Sequence, residues 1–109
     1  MTIRWLPPLA ALLALSAAEL RAEPVAGDAE AGATLYADAC VACHGRTGRG
    51  LGSFPSVRGR DADYVADRLT RYRAGERLGP NAMLMIPMAE DLSDQDIADL
   101  AAHIGSAFR

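Results

Sequence analysis

The sequence predicts an all-α domain, three main helices joined by two long ordered loops. Three observations predict it. Apolar residues recur at helical spacing in three separate segments. No stretch alternates apolar and polar residues as a half-buried strand does. The two intervening segments, 45–59 and 76–92, are dense in glycine, proline and methionine and lack helical periodicity.

The elements follow in chain order. Residues 1–22, MTIRWLPPLAALLALSAAELRA, carry one early arginine, an apolar run from Trp5 to about Ala18 and a small-residue end. That is the pattern of a cleaved signal peptide. The run is too short to span a bilayer comfortably, and Pro7 and Pro8 sit inside it. Cleavage after Ala22 leaves residues 23–109 as one domain, with a small-x-small site at Ser16 and Ala18 competing. Asp28 is the N-cap expected for a helix over 29–39, with Leu35, Tyr36 and Ala39 on one face. Asp61 caps a second helix over 62–74 that stops at Gly75, and Val65, Leu69 and Tyr72 form its buried stripe. Ser93 and Asp96 resemble a capping box opening a last helix over 94–107, whose apolar face is Ile97, Leu100, Ala101 and Ile104.

Composition narrows the function. The chain has 109 residues and a formal charge of −3, so it is one small domain without the basic surplus of a nucleic-acid binder. All 11 basic residues are arginine. After cleavage 109 − 22 = 87 residues remain, and no further apolar run is long enough to cross a bilayer. The domain is therefore expected in the periplasm, with no stable membrane insertion. Two long loops in so short a chain are uncommon unless they act on something. Three helices of this length also leave a thin core. Both point to a bulky ligand that the loops wrap.

Cys40-Val41-Ala42-Cys43-His44 indicates that ligand. CxxCH is the attachment signature of a c-type haem. Two thiols three positions apart on a turn reach the two vinyl groups of one macrocycle. The adjacent imidazole of His44 is a good iron ligand. A thioredoxin-like pair needs a βαβ context that is missing, and a zinc site needs more ligands than the one remaining histidine, His103. For a sixth iron ligand the second loop offers Met83, Met85 and Met88, among which sequence chemistry alone does not choose. A thioether opposite a histidine raises the potential.

The chain resembles the class I c-type cytochromes over about residues 27–107. It is similar to the bacterial small soluble monohaem cytochromes, to single halves of periplasmic dihaem cytochromes and to the cytochrome subunit of a flavin-dependent sulfide dehydrogenase. The matching pieces are Gly32 and Tyr36 before the motif, CVACHG at 40–45, FPSVRG at 54–59, YRAGER at 72–77 and MLMIPMAEDLSDQDIADLAAHI at 83–104. The resemblance implies the cytochrome c fold, three main helices and two long loops around one covalently attached haem c. It implies thioethers at Cys40 and Cys43, His44 as proximal ligand and Met85, eight residues before Ser93, as the sixth. It implies that the Pro55 carbonyl accepts from the His44 imidazole and that Gly32 lets the first and last helices cross closely. His103 stands where relatives carry an aromatic, arginine stands at 68 where glutamine is common, and lysines around the haem edge are missing.

The function this implies is one-electron transfer, not enzyme catalysis. The partners are redox proteins, and the chain is a monomer or the small subunit of a redox complex. The alternative is the electron-accepting subunit of a flavin-dependent, sulfide-oxidising dehydrogenase. A gas binder with an open sixth site is disfavoured by the three methionines. Leu51, Phe54, Val57, Leu69, Leu84 and Ile97 are candidates for the haem wall, and Arg58, Arg73 and Arg77 are unranked candidates to pair with its propionates. Charge is segregated: residues 46–77 hold eight arginines and four acids, a surplus of +4, and residues 78–108 hold five acids and no base, giving −5.

Overall fold

The computed structural model describes residues 2–4 and 25–109, so the expected signal peptide lies almost wholly outside the described residues. Five helices follow: α1 (Ala29–Ala39), α2 (Val41–His44), α3 (Ala62–Arg73), α4 (Ala82–Glu90) and α5 (Asp94–Ala107). No strand occurs among the described residues.

The three expected helices form at the expected positions because their termini are chemically specified. The Asp28 carboxylate accepts from the backbone N–H groups of Glu30 and Ala31, and the Asp61 carboxylate accepts from Tyr64. Such caps satisfy donors that have no partner inside the helix. Ser93 and Asp96 form a reciprocal capping box, each side chain accepting the other's N–H at 3.0 Å. α3 ends at Arg73, one residue early, with Ala74 as its C-cap and Gly75 at a φ of 85°.

Two elements differ from the sequence reading. The CxxCH turn is itself a short helix, α2. The segment 76–92 is a loop only at its ends, because α4 occupies its centre despite Pro87. Met83-Leu84-Met85-Ile86 are good helix formers. Pro87 removes one N–H and disfavours a helix through its ring, and α4 forms around it packed against α3.

α1 and α5 cross at Gly32. A Cβ there would collide with the Asp99 carbonyl oxygen and lie 2.9 Å from the His103 Cβ. Only the missing side chain allows so close an approach. Asp99, buried in α5, accepts from the Asp28 N–H at 2.8 Å and from the Gln95 amide at 2.7 Å, which ties down the entry to α1. The core that gathers at this crossing is Tyr36, Val65, Leu100, Ala101, Ile104 and Phe108. Leu100, Ala101, Ile104 and Ile97 bear out the expected α5 stripe. Ala39 is exposed, so the α1 stripe is carried by Tyr36 and the half-buried Leu35.

His103 completes an aromatic triad at the seam, 5.4 Å from the Tyr36 ring and 5.2 Å from the Phe108 ring. Burial holds its pKa below the ordinary 6.5. The two oppositely charged segments are tied by Arg73, which pairs with Asp94 at 2.7 Å and donates to the Leu92 carbonyl.

Two outcomes test this packing. Gly32→Ala is expected to cost about 1–3 kcal/mol, the range of overpacking in a tight site, read as a lower urea midpoint. His103 is neutral in the fold and takes up a proton more readily when unfolded. Its contribution to stability is thus whole above 6.5 and lost as pH falls through its lowered folded value. His103→Phe should lose less stability than wild type over that interval, measured by denaturation at a series of pH values.

Candidate functional site

The site is built around α2. The α1 C-cap is Cys40, which opens α2 directly, so the two thiols and the imidazole are carried on one helical turn between α1 and the loop 45–61. The loop folds back onto that turn. The N–H of Gly50 donates to the His44 carbonyl at 2.8 Å and that of Leu51 to the Cys43 carbonyl at 3.1 Å. Gly50 has a φ of 81°, and a Cβ there would strike the Phe54 carbonyl oxygen, so the fold-back needs glycine. Further along, Val57 N–H donates to the Gly48 carbonyl and Gly59 N–H to that of Phe108, anchoring the loop to the end of α5.

This fold-back delivers Pro55. Its carbonyl accepts from the His44 Nδ1 at 2.8 Å. A carbonyl only accepts, so the proton sits on Nδ1 and Nε2 keeps its lone pair for a metal. Tyr36 reaches the same turn from α1, its hydroxyl donating to the Gly45 carbonyl at 2.7 Å. Burial, with the nearby Cys40 adding, pushes this phenol up to about 12, so it stays a neutral donor. Sequence reading placed Tyr36 in the core but missed this bond; a tyrosine four residues before the CxxCH motif was the available signal.

Cys40 and Cys43 are unbridged. Burial pushes the Cys40 thiol to about 11, with the Cys43 charge adding to it. That is opposite to the lowered value of a redox-active CxxC pair. Among the described residues no three His, Cys, Asp or Glu side chains converge as a metal site, which a zinc centre would require.

Two adjoining cavities open beside α2. The larger, about 400 Å³, is bounded by Cys40, Cys43, His44, Phe54, Leu84, Met88 and neighbouring residues. The smaller, about 300 Å³, is bounded by Tyr36, Val57, Arg60, Tyr64, Arg68, Leu78 and others. Cys40, His44, Pro55, Leu69, Tyr72, Met85 and Leu100 line both. The donor set suits a flat apolar macrocycle. Two thiols for its vinyl groups and a tautomerically fixed imidazole stand at one wall, and the rest is largely hydrocarbon.

The three methionines separate here. Met85 lines both cavities, Met88 only the larger and Met83 neither, being 59% exposed. α4 presents Met85 and Met88 one turn apart, which a loop reading of 76–92 cannot reveal. Of the expected wall, Phe54, Val57, Leu69 and Leu84 face the cavities. Leu51 and Ile97 line neither, because Leu51 stands half out in solvent and Ile97 is buried in α5. The arginine expectation also changes. Arg58 donates to the Thr47 and Arg109 carbonyls, Arg73 is paired with Asp94, and Arg77 borders neither cavity. Asn81, the first residue before α4, leaves that helix uncapped and donates instead to the Ser53 carbonyl at 3.3 Å, joining the two loops across the larger cavity.

The comparisons with known proteins agree with this geometry. The family model for cytochrome c matches residues 29–108. Cytochrome c-554(548) of Halomonas halodenitrificans is 50% identical over 82 residues, covering 74% of this chain and 98% of that protein. Cytochrome c-554(547) of Halothiobacillus neapolitanus is 36% identical over 89 residues, covering 74% of this chain and 98% of that one. The solved structure of reduced recombinant cytochrome c4 from Pseudomonas stutzeri has a TM-score of 0.65 at 31% identity, over 76% of this chain and 52% of that one. The chain thus spans about half the length of that structure. The matched residues include all five helices and the CxxCH turn, and the chain belongs to the cytochrome c family of electron carriers.

Proposed function

We propose that the protein is a periplasmic one-electron carrier. Residues 1–22 act as a cleaved signal peptide. Residues 23–109 form the cytochrome c domain, in which Cys40 and Cys43 would hold one haem c covalently and His44 and Met85 would supply ligands to its iron. The observation that carries the ligand assignment is the position of Met85, which shares both cavities with His44. The redox partners are other proteins, met at the surface of the domain.

The haem, once attached, supplies the ferric/ferrous couple. The chain's residues decide how that couple behaves. Cys40 and Cys43 would hold the haem through thioethers, and addition of each S–H to a vinyl group would need no oxidant. Pro55 holds the His44 ring in one tautomer and makes its Nε2 a stronger donor. The Met85 thioether, a soft ligand, favours ferrous iron. Phe54, Leu69, Tyr72, Leu84 and Leu100 exclude water from the site, and a drier site favours the form with less charge. The bonds from Tyr36, Gly50 and Leu51 onto the α2 turn limit movement of the proximal side. A carrier whose ligands stay in place in both oxidation states transfers electrons with little rearrangement.

Optical spectra test the ligand set. The oxidised wild type should show a haem c spectrum with a far-red methionine–iron band. Met85→Ala should lose that band, while Met83→Ala and Met88→Ala keep it. Retention of the band in Met85→Ala, with loss in Met88→Ala, would overturn the assignment.

A further inference from the structure

We infer that His103 is a proton-binding site linked to the oxidation state of the haem, so that the protein binds a proton more tightly when reduced. This rests on the haem reading above. His103 borders neither cavity, but its α5 neighbours Leu100 and Ile104 border the smaller one. Its ring stands behind Tyr36, with 5.4 Å between ring centres. Tyr36 in turn lines the smaller cavity, and its hydroxyl donates to the carbonyl of Gly45, the residue after His44. One side chain thus separates the imidazole from the cavity wall. Phe108 closes the other side at 5.2 Å, with the two planes at 76°. Packing alone does not call for a histidine here. An aromatic hydrocarbon would fill the same seam without ever changing charge.

The ring can exchange a proton with water. Among the described residues only its backbone carbonyl is hydrogen-bonded to a side chain, that of Ser106, and no side-chain nitrogen is sealed from solvent without a partner. Its affinity for the proton is lowered by burial alone, with no charged neighbour adding to the effect. The surrounding groups agree with that. On α1, Glu30 and Asp38 are exposed, Asp28 caps the helix, and Tyr36 remains a neutral phenol. On α5, Asp94 pairs with Arg73, Asp96 closes the capping box and Asp99 accepts from Asp28 and Gln95. In the loop beneath Phe108, Arg46 and Arg49 are exposed and Arg58 is bound to two carbonyls; Arg109 is exposed. α3 meets α5 on its opposite face, at Gly105. No fixed counter-charge therefore cancels the charge that His103 gains, and the wall between it and the iron is packed aromatic side chain. A charge change across such a wall is felt more strongly than across water. Positive charge there favours ferrous iron. Binding free energies are reciprocal, so reduction strengthens proton binding at His103 by the same amount.

The test uses the full haem-loaded protein. The sequence holds two histidines, and His44 does not titrate while it ligates iron, so one imidazole remains to be followed by proton nuclear magnetic resonance. Its midpoint should lie below 6.5 in both oxidation states and about 0.3–1 pH unit higher in the ferrous protein, the size of one distant charge felt through protein. The reduction potential of the wild type should rise as pH falls through that interval. His103→Phe should lose this part of the rise and keep whatever the propionates contribute, a difference that a merely structural role would not produce. An imidazole that titrates at the same pH in ferric and ferrous wild type would overturn the linkage, and this reading stands even if His103→Phe fails to fold. A folded His103→Phe whose potential follows pH as the wild type does would overturn it equally. A wild type that carries no haem c would overturn the functional reading instead.

Discussion

Gly32 lies against the Asp99 carbonyl, and the placing of the His44 side of the site depends on that contact. Closing α1 onto α5 there sets Tyr36 deep in the core, where its hydroxyl reaches the Gly45 carbonyl. That bond fixes the turn after His44. The same crossing leaves α5 free to bury Leu100, Ala101 and Ile104 against α1 and α3, and to seat Phe108 under Gly48 and beside Tyr36. Phe108 in turn receives the Gly59 N–H, so the loop that carries Pro55 is anchored at both ends. A single Cα-to-carbonyl approach thus reaches, through three short steps, the hydrogen bond that orients the proximal imidazole.

The chain spends its apolar residues unevenly. The buried cluster lies around the α1–α5 crossing and includes one residue of α3, Val65. Leu69 and Tyr72 on the same α3 stripe are only half covered by protein and instead line the cavities, as Leu84 and Met85 do from α4. The apolar residues that line the cavities are left for a ligand to cover, and small domains commonly gain stability from such a covalent or metal staple. Here the ligand is part of the core, so its attachment chemistry and the folding free energy are coupled. The charge pattern follows the same division of labour. Arg73 joins the basic and acidic segments and Arg71 closes a local network, while Arg60 and Arg68 face the smaller cavity.

Much of this was legible in the sequence, and for identifiable reasons. Caps are local, so Asp28, Asp61 and Ser93 with Asp96 located three helix starts to the residue. Helical periodicity picked out Ile97, Leu100, Ala101 and Ile104 without knowledge of what they meet. The spacing of Cys40, Cys43 and His44 carries its own chemistry. What stayed hidden was decided by tertiary context. The segment 76–92 read as a loop, yet α4 forms there around Pro87, packed against α3. The role of each arginine depended on partners far away in sequence: Arg58 on Arg109, and Arg73 on Asp94. Asn81 gives up a helix cap to reach Ser53 across 28 positions, and no local rule anticipates that exchange. Leu51 and Ile97 share the composition of wall residues but face elsewhere.

If the haem completes the core, folding depends on it. The most direct measurement is denaturant unfolding, followed by far-ultraviolet circular dichroism, of the haem-loaded wild type and of Cys40→Ala/Cys43→Ala purified without haem. The loaded protein should unfold in a cooperative transition, and the variant should show a weak, non-cooperative loss of helix with Leu69, Tyr72 and Leu84 left facing water. A variant that unfolds cooperatively at the wild-type midpoint would contradict it, because the polypeptide would then have closed its core alone.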